Sequence, residues 1–101
     1  MYIIRNIFYL KFGHYKDARA LLDDANKKKL LPEGQDNRIL TDFTGDAYRL
    51  ILEEGYNTLA DFEQQFQNSM AEEEWKQWYE LFKQHVDRSY REILKEVVWH
   101  G

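Results

Sequence analysis

The chain has 101 residues, 44% hydrophobic, 16% aromatic and 32% charged, with a net charge of −4 and no cysteine. That length and apolar content suit one domain over residues 1–101 with a modest core. The acidic balance gives no long-range attraction to nucleic acid or anionic lipid, and the lack of cysteine excludes disulfides, thiolate nucleophiles and Cys-ligated metal.

The opening Met1-Tyr2-Ile3-Ile4-Arg5-Asn6 is too short an apolar run for a signal peptide or a membrane span, so a cytoplasmic protein is expected. Tyr2 to Phe12 mixes β-branched and aromatic residues and ends at Gly13, which predicts a strand. One face carries Ile4, Asn6, Phe8 and Leu10, the other Ile3, Arg5, Ile7 and Tyr9. Neither reads as a solvated side, so both faces are expected to be covered.

From Tyr15 to Leu31, Ala18, Leu21, Leu22, Ala25 and Leu30 recur at mostly three- and four-residue spacing among charged positions, the pattern of an amphipathic helix. Lys27-Lys28-Lys29 lies where cations oppose the negative helix end, and Pro32 with Gly34 is expected to stop the helix. The stretch Arg38 to Glu53 reads as two extended runs joined at a turn containing Thr44-Gly45-Asp46. Tyr48, Leu50 and Leu52 share one face of the second run, with Arg49, Ile51 and Glu53 on the other.

Thr58 with Asp61 three residues on has capping-box spacing with a shorter acid, and Leu59, Phe62 and Phe66 form the stripe of the helix that follows. A further helical piece is expected from near Ala71, with Glu72-Glu73-Glu74 in its first turn. Trp75, Trp78, Tyr79, Phe82 and Val86 fall at helical spacing behind it. These aromatics pack on the sheet, line a ligand cavity, or do both in one cleft. The tail Arg88 to Trp99 fits helix or strand by periodicity, and the order of the preceding elements favours a fourth strand beside the first.

Strand, helix, strand, strand, helix, strand is the α+β ferredoxin-like sandwich, a fold that hosts many unrelated functions. Several motifs go further than the order: Arg5 followed by Tyr9-Leu10-Lys11-Phe12-Gly13, Leu40 through Gly45, Leu50 to Glu53, Leu59-Ala60-Asp61-Phe62, Trp75 with Trp78 and Phe82, and Arg91-Glu92-Ile93-Leu94. Together they resemble the NIPSNAP family of dimeric α/β-barrel proteins. The resemblance implies a homodimer in which two four-stranded sheets face each other as a barrel, with helices outside. Related barrels include cofactor-independent antibiotic-biosynthesis monooxygenases, haem-degrading enzymes and members without established activity.

The haem-degrading pattern needs an asparagine on the first strand, a tryptophan on the later helix and a histidine near that helix's end. Asn6 and His85 match, but the tryptophan's place falls near Gln65 or Phe66, so haem is not expected. An oxygenase would use Asn6, Tyr9 and Asp42 as hydrogen-bond donors and base beside an apolar cavity. Arg49, Trp75, Trp78, Phe82 and His85 are the candidates for holding a ligand there. Against this, Arg5, Asp42 and Arg49 stand where ion pairs across strands or across the dimer are expected, and His85 suits a helix end by its dipole alone. His14 and His100 have no second ligand at recognisable spacing, and no phosphate loop or nucleophile elbow appears, so no metal and no cofactor are expected. The sequence thus predicts a NIPSNAP-like homodimer that binds an apolar or aromatic small molecule between sheet and helices. The alternatives are a monooxygenase-like enzyme and a structural dimer module without a ligand.

Overall fold

The computed structural model describes residues 1–45, 48–70 and 72–99. Its elements run β1 (Tyr2–Leu10), α1 (Tyr15–Lys27), β2 (Gln35–Thr41), β3 (Arg49–Tyr56), α2 (Leu59–Met70), α3 (Glu73–Phe82), a 3₁₀ turn (Lys83–His85) and β4 (Val86–Lys95). The four strands form one sheet in the order β2-β3-β1-β4, antiparallel throughout. This is the ferredoxin-like arrangement, with the two most apolar strands in the middle.

The ambiguous tail is a strand. Its amides find partners along almost the whole of β1, from Lys95 opposite Tyr2 to Val86 opposite Leu10. Among the described residues no helix is long and apolar enough to cross a membrane. Asp46, Ala71 and His100 lie outside the described residues; Gly45 of the expected turn adopts φ 98°, where a side chain would be strained.

Helix α1 ends before Pro32 and Gly34 are reached. Lys29 takes a left-handed φ of 55°, its amide bonds to the Asn26 carbonyl, and the Leu30 amide reaches back to Ala25. That is a Schellman cap with lysine in the place glycine usually holds, and Leu30 turns into the core beside Ala25. Helix α2 starts as expected, with Thr58 Oγ1 accepting the Asp61 amide at 3.1 Å. Gly34 is needed for space: a Cβ there would lie 2.6 Å from the Gly55 carbonyl oxygen at the end of β3.

One face of the sheet carries the core. Leu10 and Leu50 pack with Ala18, Leu22, Trp78 and Phe82 from the helices, and Ile4 with Tyr56 and Phe62 in a second cluster. Each large aliphatic or aromatic side chain buried there contributes about 2 kcal/mol relative to exposure. Neither cluster draws on the opposite face, so this chain covers only one side of the sheet that the sequence pattern expects to be covered on both.

That open face is ordered in rows. Leu40, Ile51, Ile7 and Tyr90 stand opposite one another across the four strands. The next row along is Arg38, Glu53, Arg5 and Glu92, linked in turn at 2.8, 2.6 and 3.3 Å. Glu53 is buried between its two arginines. Burial pushes its carboxyl up, yet hydrogen bonds from Arg5 and Arg38 outweigh this and hold it below the usual carboxylate range.

Candidate functional site

A cleft of about 780 Å³ lies between the helix-covered face of the sheet and the helices. Strand parity and helical period build it. On β1, Asn6 and Phe8 share the face of Ile4 and Leu10, and Trp75, Trp78 and Phe82 recur along one side of α3. The apolar end is tightly organised: Phe8 meets Phe82 edge-on at 5.0 Å, Trp78 stacks on Phe82 at 4.9 Å, and Trp75 stacks on Tyr79 at 5.0 Å. Trp78 is fixed by its indole N–H, which donates to the Leu21 carbonyl at 2.7 Å and ties α3 to α1.

The other end is polar. Arg91 of β4 donates through Nε to Asn6 Oδ1 at 2.7 Å, and its guanidinium lies over the Phe66 ring at 4.5 Å and the Phe62 ring at 5.5 Å. Glu54 of β3 also lines the cleft and is 9% exposed. Burial pushes its carboxyl up to about 7, against the lowering influence of the Arg91 charge and the Tyr56 hydroxyl. The Tyr56 oxygen is itself buried without a well-formed hydrogen bond among the described residues; burial and the nearby Glu54 push its phenol up. A carboxyl poised between its two states beside a fixed arginine can accept a proton or hold one.

Of the residues singled out from sequence, the structure brings Asn6, Trp75, Trp78 and Phe82 together here. Tyr9, Asp42 and Arg49 are not on the cleft lining. Asp42 clamps Arg49 through Nε, Nη2 and the backbone amide, at 2.8 to 3.3 Å. Tyr9 stands on the open face, across from Arg49, with Arg88 over its ring at 4.2 Å. His85 is not on the lining either. Its Nδ1 lies 2.9 Å from Nδ1 of His14, so one imidazole donates to the other and joins the start of α1 to the start of β4. Among the described residues no group of three or more potential metal ligands gathers. Neither Glu54 nor Arg91 is among the site residues singled out from sequence: Arg91 enters there only in the motif Arg91-Glu92-Ile93-Leu94, and alternation along β3 puts Glu54 on the face of Leu50 and Leu52.

No family model and no curated protein matches the sequence. Solved structures do match it in shape. A NIPSNAP family protein of unknown function from Agrobacterium tumefaciens superposes with a TM-score of 0.87 at 13% identity, over 99% of this chain and 91% of that one. A NIPSNAP domain protein from Burkholderia xenovorans gives 0.84 at 12% identity, over 100% and 99% of the two chains. The fold is NIPSNAP-like. A putative antibiotic biosynthesis monooxygenase from Nitrosomonas europaea shares the architecture less closely, with a TM-score of 0.73 at 15% identity over 97% and 100%. At these identities the likeness concerns the NIPSNAP-like backbone, and the chemistry rests on the cleft's own side chains.

Proposed function

We propose that this NIPSNAP-like protein is a homodimer that binds an apolar or aromatic small molecule in the cleft between sheet and helices. The observation that carries the binding is the aromatic end of the lining: Trp75, Trp78 and Phe82 on one wall and Phe8 with Asn6 on the other, opposite a polar end that holds Glu54 and Arg91. Flat ring faces on a rigid helix and a central strand give contact area without ordering a loop. A monooxygenase-type reaction through Asn6, Tyr9 and Asp42 would have only Asn6 at the cleft, so binding is the reading the lining favours. The dimer reading draws on the open face, where Leu40, Tyr90 and Leu94 remain 38%, 56% and 39% exposed around the row through Ile7 and Ile51. A second copy laid on that face would cover it.

The neutral fluorophore prodan tests the cleft: its emission should shift to the blue on binding, and Trp75→Arg should weaken the effect. Prodan emission unchanged by the wild-type protein would refute the binding reading. Native mass spectrometry of protein purified without added ligand tests the assembly. A mass of two chains that falls to one in Ile51→Asp is expected; a wild-type monomer would remove the dimer.

A further inference from the structure

We propose that the ligand is an aromatic carboxylic acid, with its rings among the cleft aromatics and its carboxylate on Arg91. The inference rests on the cleft reading above and adds the ligand's charge.

Arg91 stands apart from the other cleft arginines. Arg19 is paired with Asp23 and Arg38 with Glu53, whereas among the described residues no carboxylate reaches ion-pair distance of Arg91. Its fork is nevertheless held in place. Asn6 takes Nε, the Phe66 and Phe62 faces support the guanidinium plane, and the two terminal nitrogens keep their donors. A planar donor pair fixed in this way matches the two oxygens of a carboxylate. Arg91 is exposed, so a ligand reaches it from solvent without opening the core.

The other charged groups of the cleft lining and their partners sharpen the choice. Glu53 is already held by Arg5 and Arg38, and Lys29 and Glu33, from the end of α1 and the connection to β2, carry opposite charges. Glu54 is the acid whose charge acts on Arg91, and it is half neutral near pH 7 because burial opposes its ionisation. An incoming carboxylate therefore meets a fixed cation beside an acid that readily keeps its proton. A cationic ligand would meet Arg91 head-on, and a neutral one would leave its donors to water.

The test measures naphthoate and its neutral analogue naphthamide by calorimetry, with prodan displacement beside them. Naphthoate should bind roughly tenfold to a hundredfold more tightly than naphthamide, the range of a hydrogen-bonded charge pair. Arg91→Met should make the two affinities equal, and Arg91→Lys, which keeps the charge but not the fork, should restore part of the preference. Glu54→Gln should tighten naphthoate several-fold at about pH 8, where the wild-type side chain is mostly ionised. Prodan binding with equal affinities for naphthoate and naphthamide would overturn the acid preference and leave the cleft standing. An acid preference undiminished in Arg91→Met would overturn the role of Arg91, and equal naphthoate affinity in Glu54→Gln and wild type would overturn that of Glu54. Absence of prodan binding to the wild-type protein would overturn the cleft and this inference together.

Discussion

Replacing Glu54 by glutamine should stabilise the protein in alkali and leave it unchanged in acid. Glutamine keeps the size of the buried side chain and removes its charge. Burial lifts the Glu54 carboxyl from 4.5 to about 7, so the folded chain holds this proton more tightly than the unfolded chain does. The sign follows by linkage: stability contributed by this group is fully present below about pH 4.5 and is lost as pH rises through about 7. The shift corresponds to a penalty on the order of 3 kcal/mol once the group is ionised. Urea unfolding followed by circular dichroism at fixed protein concentration, at several pH values between about 4 and 9, measures it. Glu54→Gln should exceed wild type by about 2 to 3 kcal/mol at the alkaline end and match it at the acid end. A variant less stable than wild type at about pH 8, or a difference that does not vary with pH, would refute the buried-acid reasoning.

The neighbouring residue should behave in the opposite sense. Glu53 has its carboxyl held down by Arg5 and Arg38, so Glu53→Gln should cost about 1 to 2 kcal/mol near neutrality, discounted because Arg38 is largely exposed. Here the wild-type advantage exists above the unfolded value and is lost as pH falls through the lower folded one; the same urea titration in acid checks it. Trp78→Phe should lower stability by about 1 to 2 kcal/mol, read by thermal melting, because it removes the bond to the Leu21 carbonyl and part of the contact with Phe82. Lys29→Gly should raise the midpoint by the equivalent of about 0.5 to 1 kcal/mol, since glycine holds a left-handed cap without steric cost; a fall would argue that the lysine packs usefully there.

The sequence made the central architecture legible wherever pattern and turn chemistry agreed. Alternation in β1 and β3 named the two sheet faces, and the spacing of Trp75, Trp78 and Phe82 named one wall of the cleft. The end of α1 was misread because Pro32 and Gly34 are stronger stop signals than three lysines, yet the backbone turns at Lys29 to bring Leu30 inward. Glu54 was missed because the alternation of β3 was followed only as far as Glu53; the pleat sends Glu53 to the ion-pair row and Glu54 to the helix-covered face. Arg91 could be placed only once the tail was known to pair with β1, since a helix would have sent it elsewhere. The His14–His85 contact joins residues 71 positions apart and has no local signature. Tyr9, Asp42 and Arg49 were grouped with Asn6 for the donors and base they could supply, but the fold turns them away from the cleft and joins Asp42 to Arg49 in the ion pair that was the other expectation for those two.

The row Arg38, Glu53, Arg5 and Glu92 also answers a question of alignment. Strand β1 is apolar on both faces, so greasiness by itself would tolerate sliding against β3. A slide by two residues keeps every face correct but sets Arg5 opposite Ile51 or Gly55 and strands Glu53 without its central partner. A slide by one turns Arg5 and Tyr9 towards the helices. Misaligned compact states thus forfeit the charge row as a unit, and alternating signs across all four strands act as a proofreading mark for assembling this sheet.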